Sequence, residues 1–269
     1  MKFDMHTHHY RCGHASGNIR DYIEAAIGFG LQVIGISDHS PYFASAEDQA
    51  EPRIAMAKSE FPHYISEVLK LKEEYKDRIE VLLGIESDFF PKQADLYKEM
   101  YAPYPFDYII GSVHQTENGV SIFNKNRWKN LSDFHKVQVK DEYYRLIRQS
   151  AESGMFQILG HIDAMKGNYP AFSQIPTRMI EETLKAIKGL DIAVEINTSG
   201  KTKLVGGWYP SDDILERVLY HHIPVTFGSD AHVPDRVGDE WDQVLQRLRE
   251  IGFKEWVFYR QKRIQRVPI

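Results

Sequence analysis

Six histidines and several acidic residues fall in short motifs whose residue types suit metal chemistry. They are His6-Thr7-His8, Asp38-His39, Glu86 within Gly84-Ile85-Glu86-Ser87-Asp88, Ser112-Val113-His114, Gly160-His161-Ile162-Asp163 and Ser229-Asp230-Ala231-His232. Imidazole nitrogens suit zinc, iron or manganese, and a bridging carboxylate lets two ions sit ~3.5–4 Å apart. Such a pair makes hydroxide available from water near neutral pH and holds both oxygens of an in-line displacement. Each motif alone is weak. A lone His-x-His pair is more often structural, Asp38-His39 suits a helix cap beside a core histidine, and Glu86 could pair with a lysine. The weight lies in their conjunction. His63, His135, His221 and His222 fall outside the pattern and read as ordinary helix or surface residues, while His9 stays undecided. Cys12 is followed by Gly13-His14, not by the loop of glycines and arginine that a thiol nucleophile on phosphorus requires.

The elements that must position these groups are short apolar runs alternating with amphipathic stretches. Strands are predicted at residues 2–6, 32–37, 80–86, 108–113, 157–160, 192–197 and 224–229, rich in Val, Ile and Leu as strands buried on both faces are. Helical patterns lie at 19–30, 62–76, 131–153, 177–188, 212–220 and 241–251, and a late run at 256–260 reads as one more strand. The alternation implies parallel βαβ units, and the lack of a glycine-rich nucleotide loop favours a closed barrel. Six of the seven predicted strands end in one of the motifs. Those C-terminal strand ends form the rim where barrels carry their chemistry, and alternate residues at a strand end point the same way.

Length and composition bound the rest. The chain has 269 residues, 42% hydrophobic, with 33 basic and 38 acidic side chains and a net charge of −5. One barrel over residues 1–269 is the expected organisation. No basic block suggests nucleic acid, and no apolar run is long enough to suggest a membrane span or signal peptide. The single cysteine excludes an intramolecular disulfide and fits a reducing, cytoplasmic setting.

The order His-x-His, a third histidine eight residues after the first, Asp-His, Glu, His, Gly-His and Asp-x-His resembles the polymerase and histidinol phosphatase (PHP) superfamily. Arg11-Cys12-Gly13-His14-Ala15, Asn197-Thr198-Ser199-Gly200 and Gly228-Ser229-Asp230-Ala231-His232 look most like its histidinol-phosphate phosphatase branch. The similarity runs from residue 2 to about residue 255.

The resemblance implies an α/β fold, a distorted (β/α)7 TIM-like barrel, with two to three divalent ions (Zn, Fe or Mn). Carried over by position, His6, His8, Glu86 and Asp230 hold one ion. His14, His39 and His232 hold a second, and His114 and His161 a third, with Glu86 shared as a bridge. In nuclease-like relatives the place of His14 tends to hold a carboxylate. The implied activity is a metal-dependent phosphomonoesterase acting on L-histidinol phosphate in histidine biosynthesis, by attack of a metal-bridging hydroxide. Glu86, Asp230 and His232 are its catalytic residues, the last two handling protons.

Three divalent ions against two carboxylates leave a positive site that attracts a phosphate dianion. Lys166, Lys201 and Arg236 follow motif residues and are candidates to touch phosphate, with Arg11 and Arg127 weaker ones. Tyr42, Phe43, Phe89, Phe90, Tyr169 and Trp208 are candidates to wall a substrate imidazole. The alternatives are a PHP nuclease or nucleotide phosphoesterase, an amidohydrolase, which would want a carboxylated lysine where Glu86 stands, and a barrel without metals. The expected partner is a small phosphomonoester, with neither nucleic acid nor membrane. Oligomeric state is open.

Overall fold

The structure is a computed structural model and describes residues 1–124, 126–128 and 130–269. Among the described residues there are eight short parallel strands, each but the third followed by a helix: β1 (Phe3–Asp4), β2 (Val33–Ile36), β3 (Glu80–Leu83), β4 (Glu86–Asp88), β5 (Ile110–Ser112), β6 (Ile158–Leu159), β7 (Ala193–Asn197) and β8 (Val225–Gly228). The helices are α1 (Ile19–Phe29), α2 (Phe61–Tyr75), α3 (Ala94–Tyr101), α4 (Asp133–Glu152), α5 (Met179–Ile187), α6 (Asp212–Tyr220) and α7 (Trp241–Ile251). Among the described residues no helix is long and apolar enough to cross a membrane.

The ladders run β1-β2-β3 and β4-β5-β6-β7-β8. The expected seven-stranded barrel is recovered in distorted form, because backbone bonds outside the ladders bridge both seams. On one side Met5 N donates to Phe227 O (3.0 Å), Asp230 N to His6 O (2.8 Å) and His8 N to Ala231 O (2.9 Å). On the other, Glu86 N donates to Ser37 O (3.0 Å) and Ser40 N to Glu86 O (2.8 Å). The strand expected at 80–86 is broken at Gly84-Ile85. Its first half pairs with β2 and its second with β5, so β3 and β4 occupy one barrel position. The kink turns Glu86 inward.

The strand residues are almost wholly buried, as both-face burial in a parallel barrel requires. Tyr108 fills the interior at the β1–β3 side, its hydroxyl donating to Met5 O at 2.6 Å. A Cβ on Gly35 would lie 1.9 Å from that hydroxyl, and one on Gly84 2.3 Å from the same ring, so both strands need glycine where the tyrosine crosses. Helix α1 starts on a capping box between Asn18 and Asp21 and ends at Gly30 in the left-handed region.

Two elements lie outside the sequence expectation. Helix α3 is only eight residues long, too short for its two buried tyrosines, Tyr97 and Tyr101, to set a clear period. The late strand β9 (Glu255–Arg260) pairs antiparallel with β10 (Arg263–Pro268), a polar, half-exposed strand. Its turn places Gln261 and Lys262 at positive φ, without the Asn-Gly or Asp-Gly pair that normally announces such a hairpin.

Candidate metal centre

The strand ends deliver their polar groups to one place. From the β1 end come His6 and His8, from β2 His39, from the β3–β4 kink Glu86, from β5 His114, from β6 His161, and from β8 Asp230 and His232. His14 arrives from the loop before α1. Around Glu86 the nearest nitrogens are His39 Nδ1 at 2.9 Å, His161 Nε2 at 3.1 Å, His6 Nε2 and His114 Nε2 at 3.4 Å and His8 Nε2 at 3.6 Å. Asp230 Oδ1 lies 3.0 Å from His8 Nε2, and His14 and His232 face each other through their Nε2 atoms at 2.9 Å.

These separations suit donors that share a small ion, since metal–nitrogen bonds of about 2.0–2.1 Å make a tetrahedral edge of about 3.3–3.4 Å. The donor chemistry agrees. His6 Nε2, His8 Nε2 and Glu86 Oε2 are buried without a well-aligned hydrogen bond, an arrangement that costs free energy unless a cation takes the lone pairs. Close groupings of donors include His6 with His8 and Glu86, His8 with His39 and His232, and His39 with Glu86 and His114.

A second layer aims most of the rings. His6 Nδ1 lies 2.5 Å from Glu195 Oε1, His8 Nδ1 3.2 Å from Asp38 Oδ1 and His114 Nδ1 2.9 Å from Asp88 Oδ1. His14 and His232 turn Nδ1 to the carbonyls of Cys12 and Asp230. In each case Nε2 is left for the centre, which fixes tautomer and orientation together. The undecided His9 belongs to this layer, buried with its Nδ1 2.5 Å from Asp38 Oδ2. Two residues at the centre hold strained backbone, His161 at φ 26° and Asp230 at φ 52°.

The field is strongly coupled. Burial opposes charge at Glu86, but His39, His6 and His114 hold its carboxyl well below the usual range. Asp230 behaves alike beside His6 and His8. Burial lowers His8 and His114, yet the carboxylates around each outweigh it and raise both to about 9. His14 and His232 go the other way, to about 4 and about 3, through burial and neighbouring imidazoles. Protons and cations therefore compete for the same nitrogens, and metal uptake would release protons.

The centre floors a cavity of about 620 Å³ lined also by Tyr42, Arg53, Phe123, Lys203, Tyr209 and Arg236. A model of the PHP domain matches residues 4–199. The chain belongs to the PHP family. Several matches over nearly the full chain carry the name histidinol-phosphatase. A Deinococcus radiodurans protein named probable histidinol-phosphatase is 30% identical over 96% of this chain and 97% of its own. The Bacillus subtilis histidinol-phosphatase is 31% identical over 92% and 99%. The Lactococcus lactis histidinol phosphate phosphatase, solved with zinc, L-histidinol and phosphate, superposes with a TM-score of 0.79 at 20% identity, covering 98% of each chain. That likeness supports the distorted barrel.

Within this PHP protein, the expected metal-site residues come together, whereas the substrate candidates divide between the cavity and other places. Lys166 is buried and paired with Asp163 Oδ2 at 2.7 Å, away from the cavity lining. Lys201 also lies outside that lining, bonded to Glu240 at 2.8 Å. Arg236 does reach the cavity, braced by Asp239 at 2.7 Å. Arg11 is held by Glu60 and Glu67, and Arg127 by backbone and Thr116. Of the aromatic candidates only Tyr42 lines the cavity. Phe43 and Phe89 are core, Phe90 packs against it, Tyr169 stacks on Trp128, and Trp208 bonds Glu240. Phe123, Tyr209, Arg53 and Lys203 went unread because nothing in their local sequence separates a rim residue from any loop residue. Glu195 did leave a trace, a lone acid inside the buried run Ala193-Val194-Glu195-Ile196-Asn197.

Proposed function

We propose that this PHP protein hydrolyses L-histidinol phosphate to L-histidinol and phosphate in histidine biosynthesis. Two to three divalent ions would be held by His6, His8, His14, His39, Glu86, His114, His161, Asp230 and His232. The observation that carries the chemistry is the set of buried, unsatisfied lone pairs on His6, His8 and Glu86 at the floor of an open cavity. The substrate rests on the full-length relatives named histidinol-phosphatase and on the zinc, histidinol and phosphate of the Lactococcus lactis structure. The ion grouping expected from the sequence is supported by the close approach of His14 to His232 and of His114 to His161, 3.3 Å between Nε2 atoms. Zinc, iron and manganese all suit such an imidazole-rich set, with zinc favoured by the relative.

Bound divalent ions supply Lewis acidity and water activated near neutral pH. The chain's own residues do the rest. Asp230 is unprotonated at neutral pH and has a second carboxylate oxygen, so it can accept the proton given up by the attacking water and return it to the leaving oxygen; His232 can take that part only while its Nε2 holds no ion. Arg236 at the wall offers charge to the phosphate, and Tyr42, Phe123 and Tyr209 offer aromatic faces to the imidazole. A cytoplasmic location is part of this reading, supported by the single buried Cys12.

The test is phosphate release from histidinol phosphate, an aryl phosphate, an aryl phosphodiester and a short single-stranded oligonucleotide, with elemental analysis of the same protein. Histidinol phosphate should exceed the aryl phosphate by at least ~100-fold in kcat/KM, the worth of two or three satisfied polar contacts. Activity should vanish in chelator. A best rate on the diester or oligonucleotide would give the site to the nuclease reading, and active protein without metal would end the metal mechanism.

A further inference from the structure

Glu195 stands in the middle of β7, buried, one layer behind the centre. Its two oxygens have different duties. Oε1 takes His6 Nδ1 at 2.5 Å, while Oε2 accepts two hydrogen bonds, from His161 N at 2.9 Å and from Asn197 Nδ2 at 3.0 Å. Asn197 Nδ2 also reaches Asp230 Oδ2, at 3.2 Å. One carboxylate thus touches or reaches, through one amide, a metal-site residue from each of three other strand ends: β1, β6 and β8. The fold makes room for it at some cost. A Cβ on Gly228 would lie 2.1 Å from Glu195 Oε1 and 2.7 Å from His6 Cβ. His161 is held at φ 26° with its N–H on the same carboxylate.

We propose that Glu195 is the positioning residue of the metal centre: by accepting the Nδ1 proton of His6 it commits the His6 Nε2 lone pair to the ion, and through its second oxygen it sets His161 and Asp230. The inference rests on the reading of this cluster as a metal site. The physical reason lies in counting donors. Glu195 faces three N–H groups and donates nothing, so only a full carboxylate satisfies every partner. A glutamine of the same shape must present its NH2 somewhere. Turned toward His161 N and Asn197 Nδ2, it would oppose a backbone donor that cannot change and an amide whose oxygen is held by Ser199 N and Oγ. Turned toward His6, it opposes one donor that can, because imidazole can move its proton to Nε2. The cheaper arrangement therefore puts a proton on the very atom that should bind metal. Loss of one negative charge behind the site acts in the same direction.

The test compares wild-type protein with Glu195→Gln by competition with a chromophoric chelator for zinc, alongside 15N spectra of histidine-labelled, zinc-loaded wild type. The expected outcome is a 10–100-fold weaker affinity for one metal equivalent, the range known for such outer partners, with the other equivalents nearly unchanged. Wild-type His6 should carry its proton on Nδ1. Glu195→Asp, which keeps the charge but shortens the reach, should recover part of the affinity. Equal zinc affinity of wild type and Glu195→Gln would overturn the proposal. So would a wild-type His6 protonated on Nε2, a result that stands even if the variant does not fold. Wild type that binds no zinc would instead overturn the metal-site reading itself.

Discussion

At Asp230 two demands meet on one residue. Its backbone sits at φ 52°, a region that Asp tolerates better than most residues, and its carboxylate must bring charge to a cluster of imidazoles. Asp230→Asn satisfies the first demand and fails the second, and Glu86→Gln does the same at the shared oxygens. Each variant should lose roughly three orders of magnitude or more in kcat while its circular dichroism stays native. Near-normal turnover with full metal in either would remove that residue from the chemistry. Cys12 offers the opposite expectation. Its thiol is buried and donates to His9 O at 3.2 Å, and burial, with the Asp38 carboxylate second, pushes it up, so no thiolate exists at neutral pH. Cys12→Ala should therefore keep kcat within about threefold of wild type, its cost falling on folding stability at about 1 kcal/mol. A variant inactive despite full metal would reopen the nucleophile question.

Elements carry their own consequences. In α4, Lys140 is buried and donates to the carbonyls of Phe172 and Ile175 at 2.8 and 2.9 Å, and burial lowers its pKa to about 8. The unfolded lysine titrates near 10.4, so between about pH 8 and 10 the unfolded chain binds more protons here than the folded one. This residue's cost to folding is full below pH 8 and is relieved as pH rises. In urea unfolding, the stability of wild type relative to Lys140→Met should therefore increase from pH 7.5 to pH 10, by on the order of 1–2 kcal/mol. A flat or falling difference would mean that Lys140 titrates normally.

The same scale shows what a linear reading can reach. The six long helices and the strand positions were legible because burial imposes a period, and α6 and α7 match residue for residue. The metal-site residues were legible because the motifs fall at strand ends, where a parallel barrel gathers them. Glu195 was legible only as an oddity, and the cavity cations Arg53 and Lys203 not at all, since loop residues meet across long sequence distances with no period. Lys166 was misplaced for a related reason. The i,i+3 spacing that hides it against Asp163 looks the same in sequence as a lysine reaching for substrate.

For the whole molecule, the metal-site residues run from His6 to His232, so bound metal would tie the first barrel strand to the last. A ligand that binds only the folded state stabilises it in proportion to the logarithm of its concentration over Kd. Chelation should therefore lower Tm as well as abolish turnover, and zinc should restore both. Equal Tm values with and without chelator would show that the seams hold without the ions.

Tyr108 also closes the barrel. With this buried ring lodged against Gly35 and Gly84, the barrel interior behind the centre is packed, and among the described residues the cavity mouth is the way in. Everything that enters must leave the way it came. Phosphate held against the deep donors then waits behind the alcohol, and departure becomes a queue with a set order. Product inhibition should record that order: phosphate competitive with substrate, because it leaves last and competes for the empty enzyme, and histidinol noncompetitive. The reverse pattern would mean that phosphate has a back exit past Tyr108.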